Sequence, residues 1–311
     1  MNASLMSSLR LPFVLGSTRV SFPDNQYKGA SKVIGVMKND DNRCSLIFSE
    51  TPFHPVDSNW PDQPADKGYV KLVGMDNKMY QVVDCQLLAV NKETQEVRTS
   101  KGISRNDRSN FHYVVSHVID HKDTDPESFN NAEMEQFVDQ PYRQNLSMHH
   151  TAAHLGALAL NQAIKGYWKK EYKTLDSLGN PNFDQFTIES SQISPDNSTE
   201  IYRLGKSAKK ILDVASVFHD LTSIQNTANS LLKEWINTNA VIEIQKDGDS
   251  IGDQRTWNCH LPQTTVQIPC GGTHLTNLSE FKTVEYTLTP VKIGNELKLQ
   301  AVVTASRKAL S

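Results

Sequence analysis

Long apolar runs are missing from this chain. Across its 311 residues the apolar stretches are short, and even the one at 9–15 is interrupted by Pro12, whereas a membrane-spanning helix needs about 20 apolar residues. No transmembrane segment is therefore expected. Residues 9–15 also lack a preceding basic run and a small-residue cleavage site, so a secretory leader is not expected. Positive charge is in short supply too: 32 Lys and Arg stand against 35 Asp and Glu, a net charge of −3. A globally basic nucleic-acid binder is excluded, and any polyanion has to be met by a local patch. The four cysteines, Cys44, Cys85, Cys259 and Cys270, are too sparse for a disulfide framework. They fit a reducing, cytoplasmic setting in which a thiolate is free for metal binding or chemistry. No internal repeat or low-complexity segment is present.

What is present is the composition of a folded globular protein. Apolar residues make up 38% of the chain and charged residues 22%, which excludes collagen-like, disordered and coiled-coil chains. The length suits roughly two domains, each able to bury its own core. Short β-type runs separated by turn residues (VIGVM, CSLIF, YVKLVGM, MYQVVDCQLLAV, HYVVSHVI) predict a small antiparallel β-barrel or sandwich domain over 31–120. Cys44 and Cys85 fall within these runs and read as buried small apolar residues. One long interruption, TPFHPVDSNWPDQPADKG at 51–68, carries four prolines, which forbid a central strand and demand an ordered loop. Residues 1–30 lack a clear period and read as an N-terminal arm; the polar stretch 121–131 reads as a linker.

The character then changes. Over 145–173 the residues Ala152, Leu155, Ala159, Ala163 and Tyr167 recur at spacings of three and four and predict a helix. A second helix is predicted over 221–237, with Ile224, Ala228, Leu231, Leu232 and Trp235 on one face. Strand-like runs at 241–244, 265–268, 284–288 and 297–303 complete a C-terminal domain, 132–311, of the α+β class, with helices packed on an antiparallel sheet.

Two pieces of sequence carry chemistry. His150-Thr-Ala-Ala-His154 places two imidazoles one helical turn apart on one face, where both can reach a single metal ion. Far downstream, Cys270-Gly-Gly-Thr-His274 joins a thiolate and an imidazole through two glycines that let the backbone turn tightly. Either piece alone is weak, because such a His pair often only makes hydrogen bonds and a Cys after a strand is usually core. Together they form a borderline-soft nitrogen and sulfur set suited to zinc. His149 points to a different helical face. Cys259 and His260 are strand neighbours that point to opposite faces, so both cannot bind one ion.

These motifs resemble the alanyl-tRNA editing proteins, the AlaX family, which are relatives of the alanyl-tRNA synthetase editing domain. HTAAHL at 150–155 and PCGGTHLTNLSEF at 269–281 are similar to the family's HxxxH and CGGTH signatures. QPYR at 140–143 and the following NLSMHH are similar to the family's approach to its metal helix, and LTSIQNTANSLLKEWINTNAV at 221–241 to a helix with a central Asn. FHPVDSNWPDQPADKG at 53–68 stands where the family has an aromatic, a proline, a glycine-rich run, then Gln-Pro and Asp-x-Gly. The resemblance implies an N-terminal small β-barrel and an α+β editing domain. By analogy it implies hydrolysis of the ester joining a wrong amino acid, serine or glycine, to tRNA for alanine. It makes Zn2+ the cofactor, held by His150, His154, Cys270 and His274.

Several side chains are candidates for further roles. Thr151, beside the first ligand, is placed to hydrogen-bond a seryl hydroxyl or to pack; Gln63 matches the family's loop frame or caps the loop. These two are the candidate catalytic residues, and no Ser-His-Asp triad is visible. With a net charge of −3, tRNA has to be met by Lys165, Lys169, Lys170 and Lys173, interleaved with aromatics, or by a second cluster, Lys206, Lys209 and Lys210. A solvated helix end with snorkelling lysines is the plain alternative. The departure from the family lies in the loop, where Val56-Asp-Ser-Asn-Trp60 replaces a run of glycines. Four protein ligands would also close a tetrahedral site, whereas catalytic zinc usually keeps one position open. A catalytically silent tRNA-binding module with structural zinc, and a zinc hydrolase acting on another ester, therefore stand beside the editing enzyme.

Overall fold

The computed structural model describes residues 15–39, 42–74, 78–121 and 124–308. Most of the 9–15 stretch, and the first fourteen residues of the expected arm, lie outside the described residues. The chain divides into two compact units, Met1–Arg143 with Lys246–Arg255, and Gln144–Gln245 with Thr256–Ser311. Among the described residues no helix is long and apolar enough to cross a membrane.

Among the described residues the first unit has nine strands: β1 (Arg19–Val20), β2 (Lys28–Lys38), β3 (Arg43–Phe48), β4 (Glu50–Thr51), β5 (Gly68–Leu72), β6 (Met79–Asn91), β7 (Val97–Thr99), β8 (Phe111–Asp120) and β9 (Glu133–Val138). Six of them close an antiparallel barrel in the order β5-β9-β2-β3-β8-β6, with β6 pairing back to β5, and β7 extends the sheet beside β6. Strand alternation fills the interior: Cys44, Leu46 and Phe48 of β3 meet Val33, Val70, Cys85, Val115, Ile119 and Met134 in one core. The opposite face of the same strands adds a smaller cluster of Met37, Ile47, Leu88, Val90, Val97 and Val114. Burial raises the Cys44 thiol to about 12, so it behaves as the small apolar residue its strand pattern implies.

This unit extends past both expected limits. Phe22 is 1% exposed and β2 begins at Lys28, so the described part of the expected arm is packed into the unit. On the other side, Phe129 sits fully buried on a 3-10 turn (Pro126–Phe129), its ring edge-on to Tyr80, where a linker was expected. β9 then inserts between β5 and β2 to complete the closure. Its sequence EMEQFV hid this strand, because one of its inward positions is the polar Gln136. That side chain is satisfied by the Thr51 hydroxyl and by the carbonyl of Glu50.

The four-proline loop is ordered by a buried ion pair. Asp66 and Arg143 are both fully withdrawn from solvent. Arg143 Nε donates to Asp66 Oδ1 and Oδ2 at 3.0 and 2.9 Å, and its remaining N–H groups reach Asp66 again and the carbonyls of Gln26 and Pro52. Asp66 Oδ2 also accepts the His54 amide at 2.6 Å. A fork of donors on one carboxylate is the geometry that repays the burial of both charges.

The second unit contains α1 (Gln140–Ile164), which starts just before the unit boundary, followed by α2 (Phe183–Thr187), α3 (Lys206–Ile211), α4 (Val214–His219) and α5 (Leu221–Ile236). Its strands are β10 (Ile188–Ile193), β11 (Ser198–Tyr202), β12 (Ile242–Lys246), β13 (Arg255–His260), β14 (Thr265–Pro269), β15 (Phe281–Ile293) and β16 (Glu296–Arg307). They form an antiparallel sheet β10-β11-β16-β15 and a smaller sheet β12-β13-β14. Fold class is thus α+β, with one unit a barrel and the other helices on antiparallel sheets. α1 lies close to the larger sheet because residue 156 is glycine: a Cβ there would stand 2.8 Å from the Tyr286 ring and 3.1 Å from Val303. The predicted second helix agrees with α5, but the helix expected over 145–173 ends at Ile164. Gly166 weakens helix continuation, and beyond it Trp168 bridges to Leu212 as extended chain.

Candidate metal centre

α1 carries His150 and His154 one turn apart, their ring centroids separated by 4.9 Å. β14 ends at Pro269 and delivers Cys270 directly into the Gly-Gly turn, which brings His274 back to the helix. Cys270 Sγ lies 3.4 Å from His150 Nε2 and 3.3 Å from His274 Nε2. The four potential ligand atoms of His150, His154, Cys270 and His274 all fall within 4.8 Å of one another. The Gly272 amide points at the sulfur, 3.5 Å away.

The turn is fastened to α1 by hydroxyls. Ser147 Oγ donates to Thr273 Oγ1 at 2.8 Å. Thr151 Oγ1 donates to the Ser147 carbonyl at 2.8 Å and accepts the Leu275 amide at 3.1 Å; it also lies 3.3 Å from His274 Nδ1. Behind the cluster stands Trp257, fully buried, with its ring centroid 5.1 Å from that of His154 and 5.9 Å from that of His274. It faces Ile268 across the β13–β14 pair, two residues before Cys270.

These residues fit a tetrahedral metal ion. With metal–sulfur near 2.3 Å and metal–nitrogen near 2.0 Å, adjacent sulfur and nitrogen ligands stand about 3.5 Å apart, close to both observed separations. His154 supplies the sharper test: its Nε2 is buried and has no hydrogen-bond partner. Burial also lowers the ring to about 4, so it is a neutral imidazole with a nitrogen facing the other three donors. Leaving such an atom unmatched costs about 1–3 kcal/mol, and a metal would satisfy it.

All four ligand candidates converge. Thr151 is buried and its hydroxyl proton is committed to Ser147, so in this structure it secures the CGGTH turn. Gln63 belongs to the first unit, where it is 1% exposed with Nε2 3.4 Å from His54 Nδ1. Burial lowers that histidine to about 4 and lifts neighbouring Asp62 to about 6. Lys165, Lys169, Lys170 and Lys173 are exposed on the second unit.

His149 is turned away from the cluster: Nδ1 donates to the Asn145 carbonyl at 3.0 Å and Nε2 accepts the Ala305 amide at 3.3 Å, tying α1 to β16. Cys259 is buried while His260 is exposed and bonds Thr265, as strand alternation requires. Trp257, Ser147 and Thr273 were not evident from the sequence. Trp257 shares a strand face with Cys259, but only the register of β13 on β14 brings it behind the metal donors.

No family model matches the chain, and no curated protein matches it. The class defined by the fold and the cluster is an α+β protein with a β-barrel unit and a His3Cys site able to hold a metal ion.

Proposed function

We propose that this protein is a zinc-dependent hydrolase that deacylates mischarged tRNA for alanine in the cytoplasm, with seryl-tRNA as the first substrate and glycyl-tRNA as the second. The observation that supports this most is the convergence of His150, His154, Cys270 and His274 with a buried, unmatched His154 Nε2. The HTAAHL and CGGTH sequences that provide these donors resemble the alanyl-tRNA editing proteins. When bound, zinc would supply Lewis-acid chemistry suited to ester hydrolysis, polarising a carbonyl or making water acidic near neutral pH.

The chain's own residues would hold and tune the site. Ser147 and Thr151 keep the CGGTH turn against α1, so that the sulfur and the His274 ring share one position. Trp257 walls the site with apolar surface and keeps the local dielectric low. Lys165, Lys169, Lys170 and Lys173 would meet tRNA phosphates.

One observation favours a second reading, a silent tRNA-binding module with structural zinc: four protein donors complete a tetrahedral shell. Incubation with seryl-, glycyl- and alanyl-tRNA, with and without chelator, separates the two. Hydrolysis of the seryl or glycyl ester that disappears with chelator and in Cys270→Ala supports the enzyme. Zinc-loaded protein that hydrolyses none of the three above background leaves the silent module, and hydrolysis undiminished after complete zinc removal overturns the metal mechanism.

A further inference from the structure

The two lysine clusters, separate in sequence, become one surface in the fold. After α1 ends, the chain runs alongside the end of α3: the Lys169 amide donates to the Ile211 carbonyl at 2.8 Å, Lys169 Nζ donates to the Lys209 carbonyl at 2.7 Å, and Trp168 bridges to Leu212. Lys206, Lys209 and Lys210 stand at i, i+3 and i+4, one face of α3, while Ala208 and Leu212 turn into the core. All seven lysines, 165, 169, 170, 173, 206, 209 and 210, are exposed.

The surface is predominantly positive. The same two segments contain only Glu171 and Asp213 as acids. Asp213 is held by Ser216 as the cap of α4, and Lys169 lowers its carboxyl further. Among the described residues none of the seven ammonium groups is within 4.0 Å of a carboxylate. Lys209 and Lys210 in the last turn of α3 suit the helix dipole, whereas Lys206 and Lys210 repel each other at i and i+4; in a chain with a net charge of −3 this concentration of lysines is local. Beside it, Trp168 and Tyr172 stack at 4.8 Å and pack on Phe186, which makes the extended segment a rigid carrier for Lys169, Lys170 and Lys173.

We propose that α3 and the segment following α1 form a single RNA-docking surface, in which Lys206, Lys209 and Lys210 contact the phosphate backbone together with Lys165, Lys169, Lys170 and Lys173. The choice of RNA over another polyanion rests on the aminoacyl-tRNA reading. The role of α3 rests on the geometry. A row of ammonium groups on a fixed frame is what backbone recognition requires: phosphates give affinity and position without base readout, and each contact releases counterions.

The test is binding, not hydrolysis, so it is separate from the test of the enzyme. Full-length protein is titrated against a fluorescently labelled RNA duplex at several salt concentrations. Lys206→Ala, Lys209→Ala and Lys210→Ala combined should weaken binding by about tenfold or more at low salt. The slope of log affinity on log salt should fall by about one unit per lost phosphate contact. The corresponding triple arginine variant should keep both. Unchanged affinity and slope in the alanine triple overturn the proposal. So does an equal loss in Lys282→Ala with Lys292→Ala, exposed lysines on β15 that report only net charge, and so does binding to anionic lipid vesicles without binding to RNA. RNA binding lost in the alanine triple of a protein that hydrolyses no ester would uphold the docking surface while the enzyme reading fails.

Discussion

The side-chain amide of Asn229 on α5 pairs with the backbone of Tyr286 at both of its atoms: Nδ2 donates to the Tyr286 carbonyl and Oδ1 accepts the Tyr286 amide, each at 2.8 Å. Gln225, one turn earlier, accepts the Leu288 amide at 2.9 Å. Together they occupy the free edge of β15 as a neighbouring strand would. The next amide in that row would belong to residue 290, which is proline and has none to offer, so the edge is closed against pairing with another chain. Asn229→Ala removes both bonds and leaves a strand edge unmatched; a loss of about 1–3 kcal/mol is expected in urea unfolding. A loss no greater than that of an exposed α5 control such as Lys233→Ala would show that solvent satisfies the edge unaided.

Breaking the buried Asp66 and Arg143 pair should be among the most destabilising changes in the barrel unit. Asp66→Ala strands a guanidinium with no access to water, and about 3–5 kcal/mol is expected. The double change Asp66→Leu with Arg143→Met should recover much of the loss, because it removes both charges. Equal stability of the single and double variants, measured by denaturant midpoint, would mean that the carbonyls of Gln26 and Pro52 alone compensate Arg143.

Metal content is expected to follow the four-donor cluster. Protein purified without chelator should carry about one zinc ion per chain by elemental analysis. His154→Ala and Cys270→Ala should bind it at least tenfold more weakly. Chelation should lower the melting temperature of the wild-type protein, since a ligand that binds only the folded state stabilises it. A metal content that His149→Ala reduces as much as His154→Ala would contradict the geometry, because the nitrogens of His149 are occupied by Asn145 and Ala305.

Acid should destabilise the barrel unit above the range of ordinary carboxylates. Burial lowers both His54 and His117 from 6.5 to about 4. The unfolded chain therefore takes up these protons first, and the stability they contribute is complete above about pH 6.5 and lost as the pH falls toward 4. Asp62 acts in the opposite sense: raised from 3.8 to about 6, its contribution is lost as the pH rises through 6. Urea midpoints at about pH 7 and about pH 5 should show the net loss, with His117→Gln flattening the dependence and Asp62→Asn steepening it. A midpoint that rises on acidification would reverse the assignment.

What could be read directly from the amino-acid order were features whose causes are local. A spacing of four from His150 to His154 makes about one helical turn whatever surrounds it. Two glycines permit the tight return from Cys270 to His274, and alternation in CSLIF or MYQVVDCQLLAV marks strands and their inner faces. Hence the α+β class, the convergence of the four candidate metal donors, α5 and the buried cysteines were legible. Other features depended on which faces find each other across the chain. β9 belongs to the barrel because closure needs a sixth strand, although its inward Gln136 breaks the apolar pattern. The helix predicted to reach 173 stops at Ile164, and beyond Gly166 the chain is extended where Trp168 bridges to Leu212. Trp257 stands behind the metal donors only through the register of β13 on β14. Lys169 meets Lys209 only because the chain returns past α3. Hydrophobic burial and backbone pairing choose such neighbours by complementarity over the whole unit, and no window of sequence contains that information.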